Sequence, residues 1–362
     1  MNRFSLQYQD ILCNNKLKYD NNSDIDSIDY IYSSPVWYSF ITFIKNRRLD
    51  TGKKTIIISL SGGVDSMVFL YLCILYRKQN QLFKFGSVHI NWNQRDESEH
   101  EAHFIQDYLN ENNVLYYFEN VTHLFRKNRT VFEIEGKKLR FNLYKKVIEK
   151  WNGDSVFLGH HKGDIIENVF TNLITGNHLL DLGKMKYESK IHDVLIVRPF
   201  LEINKSDIYD IASKYNVPFL KDTTPLWSNR GALRHSIFPV IGKHFGNRFE
   251  TGLLNTAQKS RELGDMIDVC LITPYMSSIE YISKTQIRLP YKNTYPLIFY
   301  EIVFERLMYS HHKSKIRTKT VGAWYKYAIN NVNWKPYSIC KDCQLILDNN
   351  DNKFMYLKIN EL

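Results

Sequence analysis

Long apolar runs and a cysteine framework are both missing from this chain of 362 residues. No hydrophobic stretch reaches the roughly 20 residues that span a bilayer, which argues against a membrane protein. The opening MNRFSLQYQDILCNNKLKYDNNSD has neither an apolar centre nor a small-residue cleavage site, so a secretory leader is not expected. It is also too acidic and Asn-rich for a transit peptide. The five cysteines, at 13, 73, 270, 340 and 343, are an odd and sparse set that excludes a disulfide scaffold. A reducing, cytoplasmic setting follows; an organelle or a host cytoplasm would serve equally. Cys340 and Cys343 have C-x-x-C spacing, but one such pair cannot close a four-ligand zinc site, and they read as incidental thiols near a hairpin. No Ser or Cys triad signature is present, nor an internal repeat, nor a linker rich in Gly and Pro.

Acidic residues are in modest deficit. Forty-eight Lys and Arg against 38 Asp and Glu leave a net charge of +10, compatible with a polyanionic partner. Basic clusters lie at KNRRLDTGKK (45–54), RKNR (126–129) and HHKSKIRTK (311–319). Singly, each reads as a solvated face.

Residues 1–50 are polar and read as an irregular N-terminal extension. From 55 a regular pattern begins. Short β-rich runs (TIIISL, FGSVHINW, VLYYFENV, SVFLGHH, DVLIVRPF) alternate with helix-period segments at 65–78, 97–112, 131–151, 164–174 and 205–215. This alternation predicts an α/β fold, a mostly parallel sheet with helices on both faces, whose ligand site lies at the carboxyl ends of the strands. We expect this domain over 51–230 and a smaller, mainly helical second domain over 231–362. In the latter, QLILDNNDNKFMYLKI predicts a C-terminal β-hairpin.

Two phosphate-loop candidates sit side by side. TGKKT fails as a Walker A loop, because Gly52 and Lys53 precede the strand that they should follow. SLSGGVDS has the right order: strand, then the turn Ser61-Gly62-Gly63, then a helix from Asp65 onward. Its glycines permit positive φ and close backbone approach, and the amides of the turn and helix start form an anion pocket. Ser61 and Ser66 can add hydroxyls. Asp65 would repel a phosphate unless a cation lay between them, which suggests a Mg²⁺ ligand. The alternative is a helix-start carboxylate favoured by the dipole.

With its strand, S-G-G-V-D-S resembles the PP-loop of the N-type ATP pyrophosphatases, which cleave ATP to AMP and pyrophosphate while adenylating a substrate. Further segments resemble the tRNA(Ile)-lysidine synthetase family. VHINWNQR (88–95) is similar to H-x-N-H-x-L-R, and LGHHKGDIIEN (158–168) to G-H-H-x-D-D-x-x-E-T. RPFLEINKSDI (198–208) is similar to the family's R-P-L-L segment. DTTPLWSNRGALRHSIFPVI (222–241) resembles D-x-S-N followed by R-N-x-I-R-x-x-L-L-P. The chain departs from these patterns at Trp92, Gly163 and Gly231, and its NLITGNHLLDLGKM (172–185) departs from the family's R-L-x-R-G-x-G-x-x-G-L-x-G-M at Asn172, Thr175 and His178.

The resemblance implies a ligase that uses ATP and Mg²⁺. It joins free lysine to the wobble cytidine of a tRNA(Ile) with a CAU anticodon, through an adenylated cytidine. Asp164 and Glu167, three apart on one helical face, would join Asp65 around the metal; an acidic first helical turn is the plainer reading of that pair. His89, Arg95 and His160 would assist Ser61, Gly62, Gly63, Val64, Asp65 and Ser66 in holding ATP. His160 and His161, as neighbours on extended chain, should point opposite ways. Arg230 and Arg234, at i and i+4, suit phosphate or departing pyrophosphate. Arg140 and Phe141 are carried over to the vicinity of the active site. A homodimer is compatible with such a chain. Two other readings stand beside this one: a PP-loop tRNA 2-thiolation enzyme, and, given the departures, a non-catalytic tRNA-binding protein.

Overall fold

The computed structural model describes residues 7–8, 10–13, 30–94, 96–122, 129–222, 224, 226–246, 248–311, 316–331, 335–348, 351 and 353–359. Arg95, the NNSDIDS segment, and parts of two basic clusters (126–128 and 312–315) lie outside the described residues. The chain divides into two compact units, Met1–Gln258 and Lys259–Leu362.

The first unit is built on six strands, β1 (Thr55–Ser59), β2 (Lys84–Asn91), β3 (Leu115–Asn120), β4 (Gly153–Phe157), β5 (Glu188–Ile191) and β6 (Val194–Val197). Their order is β3-β2-β1-β4-β6-β5, parallel except that β5 returns antiparallel on β6. Strand order reverses between β1 and β4, the switch point at which open α/β sheets hold their ligands.

Residue alternation along β1 loads both faces of the sheet. Ile56 and Ile58 join one core with α2 (Val64–Gln79), α3 (Ser98–Glu111) and α6 (Lys205–Lys214). Ile57 joins the other with Val88, Val156 and the α4 helix (Arg129–Trp151), through Phe141, Tyr144 and Val147. Helices therefore cover both faces, as the alternation of periods predicts.

Part of the expected irregular extension is ordered. Pro35–Asn46 forms a helix, α1, whose start is capped by the Ser34 side chain and whose Pro35 occupies the first turn. Its Val36, Phe40, Phe43 and Ile44 are buried in the first core. Two members of the basic cluster at its end are ion-paired. Lys45 meets Asp50 at 2.5 Å, and Arg47 meets Asp154 and Glu188, both at 2.8 Å. In the discarded TGKKT loop, Gly52 has φ +74° and makes a turn before β1, at the opposite strand end from the ligand edge.

The α5 helix (Lys162–Thr175) lies between β4 and β5, and beyond α6 the first unit continues through α7 (Asn229–Ala232), a π-turn (Leu233–Ile237) and α8 (Phe238–Phe245). The division at 258/259 falls within α9 (Arg248–Ile267), so Arg230 and Arg234 belong with the sheet.

In the second unit the expected hairpin forms from β10 (Cys343–Leu347) and β11 (Phe354–Ile359). It is the centre of a five-stranded antiparallel sheet, ordered β7-β8-β11-β10-β9, with β7 (Glu280–Ser283), β8 (Gln286–Pro290) and β9 (Tyr337–Cys340). β7 and β8 fall in a stretch that reads as helical by pattern. β7 is exposed throughout, so no inward-facing alternation marks it, and β8 alternates over only five residues. The sheet packs on α11 (Leu297–Ser310) and α12 (Thr318–Asn330) through Ile287, Leu289, Tyr300, Trp324 and Leu345. Cys340 and Cys343 face each other across the β9–β10 turn, and both are free.

Candidate active site

The phosphate loop follows β1 directly. Gly62 adopts φ +83°, and a Cβ there would lie 2.4 Å from Leu220 Cδ1, so only glycine fits. Gly63 does not use the freedom that its type allows: it sits at φ −70° as the cap of α2. Ser66, buried, ties the turn together. Its hydroxyl donates to Gly63 O at 3.0 Å and accepts from the Ser61 amide at 3.3 Å, while Ser61 Oγ lies 3.2 Å away. Val64 is buried in the core and anchors the helix start. The amides of the first turn have no partner within their own helix and face the carboxyl edge of the sheet.

Two glycines outside the loop let this edge close up. Gly159, after β4, lies so near α2 that a Cβ would come within 2.9 Å of Asp65 Cβ. Gly163 stands where the resembled pattern has aspartate. A Cβ there would be 2.7 Å from the His161 ring, which instead folds over to accept the Gly163 amide on Nδ1 at 3.0 Å.

That hydrogen bond fixes the tautomer. A neutral His161 carries its proton on Nε2, which points at Asp164 (3.6 Å) and Asp65 (4.0 Å). Burial lowers the His161 pKa and keeps the ring neutral at pH 7. His160 turns the other way, as alternation requires. It accepts Arg198 Nε on Nδ1 at 3.0 Å, so its own proton also lies on Nε2. Burial, aided by Arg198 and Arg230, lowers its pKa to about 4. His89 is a buried neutral histidine whose Nδ1–H donates to Leu60 O at 2.8 Å, bracing the loop from the neighbouring strand.

Each carboxylate is paired with a cation. Asp65 receives Lys205 Nζ on both oxygens, at 2.7 and 2.6 Å. Asp164 closes a capping box with the His161 amide at 2.9 Å and meets Arg234 at 3.4 Å and Arg230 at 4.0 Å. Glu167 binds Arg234 Nε and lies 3.5 Å from Arg230. Arg234 reaches Asp222 as well, at 3.5 Å. Asp164 and Glu167 are buried, yet Asp164 stays ionised. Burial raises its pKa, but His161, its amide, His160 and Arg230 together bring it below the usual carboxylate range. Among the described residues no group of three or more His, Cys, Asp or Glu is placed to hold a metal ion. Lysine and arginine side chains pair with each of the three carboxylates that the sequence offers to Mg²⁺, while Glu167 Oε2 is buried with no hydrogen-bond partner among the described residues.

Arg230 and Arg234 thus come together as their spacing suggests, with the π-turn beginning between them; such wide turns are frequent at functional sites. On the α4 side, Tyr144 hydrogen-bonds Ser59 at the end of β1 (2.6 Å), and one turn earlier Arg140 lies over the Trp92 ring at 5.4 Å. Phe141 is buried in the core beneath. Asn172 and Asn168 hold a loop, donating to Leu182 O (2.7 Å) and Gly183 O (3.0 Å). The asparagine at 172, where the resembled pattern has arginine, is therefore structural. Lys205, Asp222 and Arg198 are missing from the sequence-derived set, in which His161 appears only as the neighbour of His160. Each sits inside a quoted segment, but only the fold reveals what it touches.

A strand, a diglycine turn capping a helix, and cationic and acidic side chains at the switch point together define a nucleotide-binding α/β domain. The PP-loop domain family profile matches residues 35–241, and the chain belongs to that family. Among curated proteins it is similar to the tRNA(Ile)-lysidine synthase of Chlamydia caviae, 31% identical over 213 residues, and to that of Chlamydia felis, 30% identical over 213 residues. Each match covers 58% of this chain and 65% of the relative, so the chain spans just under two thirds of their length. Among solved structures, the U34-tRNA thiolase NcsA from Methanococcus maripaludis aligns over 62% of this chain and 79% of its own, with a TM-score of 0.46 and 19% identity. No helix among the described residues is long and apolar enough to cross a membrane.

Proposed function

We propose that the chain is a tRNA(Ile)-lysidine synthase, using ATP to join free lysine to the wobble cytidine of a CAU anticodon. The observation that carries this reading is the arrangement at the switch point. A phosphate loop lies beside Asp65 and Lys205, and the Asp164–Glu167–Arg230–Arg234 cluster faces the same strand ends. The curated relatives supply the substrate. ATP adenylates O2 of the cytidine and pyrophosphate departs; the ε-amine of lysine then attacks C2 and AMP leaves.

The protein's contribution is positioning and electrostatics. The amides at the α2 start, with the turn at 61–63 that leads into them, hold the departing pyrophosphate. Arg230 and Arg234 each carry five N–H donors and can share them between their carboxylate partners and phosphate oxygens. His160, neutral with its Nε2 proton fixed by Arg198, presents a donor and not a charge. Incubation with tRNA(Ile) transcript, lysine and α-labelled ATP tests the reading. Lysine-dependent AMP supports it; tRNA retention without AMP leaves a binding protein, and an ADP product removes the PP-loop chemistry.

One observation keeps thiolation as a second reading. Leu12 bridges to Leu220, which hydrogen-bonds Gly62, and this brings the exposed Cys13 into the neighbourhood of the loop. Cys13→Ser should leave lysine-dependent AMP formation at the wild-type rate. Loss of a sulfur-dependent product in that variant would favour thiolation.

A further inference from the structure

The loop carries a carboxylate where a polyphosphate must bind, and the group that neutralises it comes from 140 residues along the chain. Lys205 is the first residue of α6, and its Nζ contacts both Asp65 oxygens at 2.7 and 2.6 Å. An ammonium has three N–H donors. Two point at the carboxylate. The Tyr209 ring, 5.4 Å away, flanks the group, whose side chain remains one-third exposed. Asp65 is the second residue of α2, so the ammonium it holds is tied to the helix start whose amides form the anion pocket.

We infer that Lys205 is a direct ligand of the ATP polyphosphate, bridging it to Asp65 as a bound cation would. The inference rests on the ATP-dependent reading above and extends it to a residue in the R-P-F-L-E-I-N-K segment. Without the lysine, Asp65 would repel the triphosphate. With it, the carboxylate becomes the anchor that aims the ammonium. The alternative is that Lys205 only offsets the Asp65 charge and never touches phosphate.

A double-mutant cycle on the full chain separates these, read as the dissociation constant for ATP by calorimetry. Lys205→Met should weaken ATP binding about ten- to a hundredfold, the worth of a charge-assisted hydrogen bond, with tRNA affinity unchanged. Lys205→Arg should recover part of the loss. The decisive arm is Lys205→Met in an Asp65→Asn background, where no carboxylate needs neutralising. A further loss of about tenfold there places the lysine on phosphate. If Asp65→Asn instead abolishes the effect of Lys205→Met, the lysine acts only on Asp65 and the inference is wrong. Should Lys205→Met unfold the chain, the same comparison is made with Lys205→Gln. Failure of the wild-type protein to bind ATP at all would overturn the functional reading itself, an outcome distinct from either.

Discussion

At Gly62 the backbone turns through φ +83° with Leu220 packed against the space a side chain would fill. Gly62→Ala therefore meets two penalties, a left-handed conformation and a clash, together costing roughly 1–3 kcal/mol. A urea midpoint should fall accordingly and ATP affinity should drop with it, whereas Gly63→Ala, at φ −70° and with its nearest neighbour at 3.5 Å, should be tolerated. His160 yields a pH prediction. Its folded pKa of about 4 lies below the unfolded value of about 6.5. Above that unfolded value both states are neutral and nothing is gained or lost. As pH falls toward 4, the unfolded chain takes up a proton that the folded one refuses, so stability declines. Between pH 7 and pH 5 the loss from this group is roughly 2 kcal/mol. His161, also lowered by burial, steepens the same slope. Denaturation midpoints at the two pH values should diverge less in His160→Gln than in wild type.

The helix α5 and the turn at 229–237 act as one element, stitched by ion pairs across about 70 residues of sequence. Arg234 serves both buried carboxylates. Arg234→Met leaves Glu167 and Asp164 to the half-exposed Arg230, and breaking a buried pair in this way costs about 3–5 kcal/mol. Glu167→Gln in the same chain should restore part of the lost melting temperature without restoring pyrophosphate release. Sequence reading reaches this element only halfway. The i,i+3 and i,i+4 spacings report which residues share a face, and Asp164 with Glu167 and Arg230 with Arg234 do so. That the two faces meet depends on where β4 ends and the chain returns, which no local period encodes. The same limit hides Lys205 from Asp65, and the ion pairs that Asp164 and Glu167 make with Arg230 and Arg234. It does not hide the five strand runs of the first unit, because their periods are local. The α1 helix was legible in principle: Ser34 and Pro35 form a strong start signal ahead of VWYSFITFI, obscured by the polar residues before it.

At the scale of the whole molecule, two separate cores make a prediction that neither unit makes alone. One core contains Ile58, at the end of β1 next to the phosphate loop; the other contains Leu289, in the middle strands of the antiparallel sheet. Both are fully buried, so truncation to alanine should cost about 2–5 kcal/mol in either place. The consequences for ligand binding should differ. Ile58→Ala loosens the strand that sets the height of Ser61 and Gly62, so ATP affinity and thermal stability should fall together. Leu289→Ala should lower a thermal or urea transition of the second unit while the dissociation constant for ATP stays at its wild-type value. Scanning calorimetry with and without ATP distinguishes the cases: ligand should raise the transition weakened by Ile58→Ala and leave the one weakened by Leu289→Ala in place. Equal ATP-induced shifts in both transitions would mean that the polyphosphate site draws on both cores, contrary to its construction here from the first unit's residues.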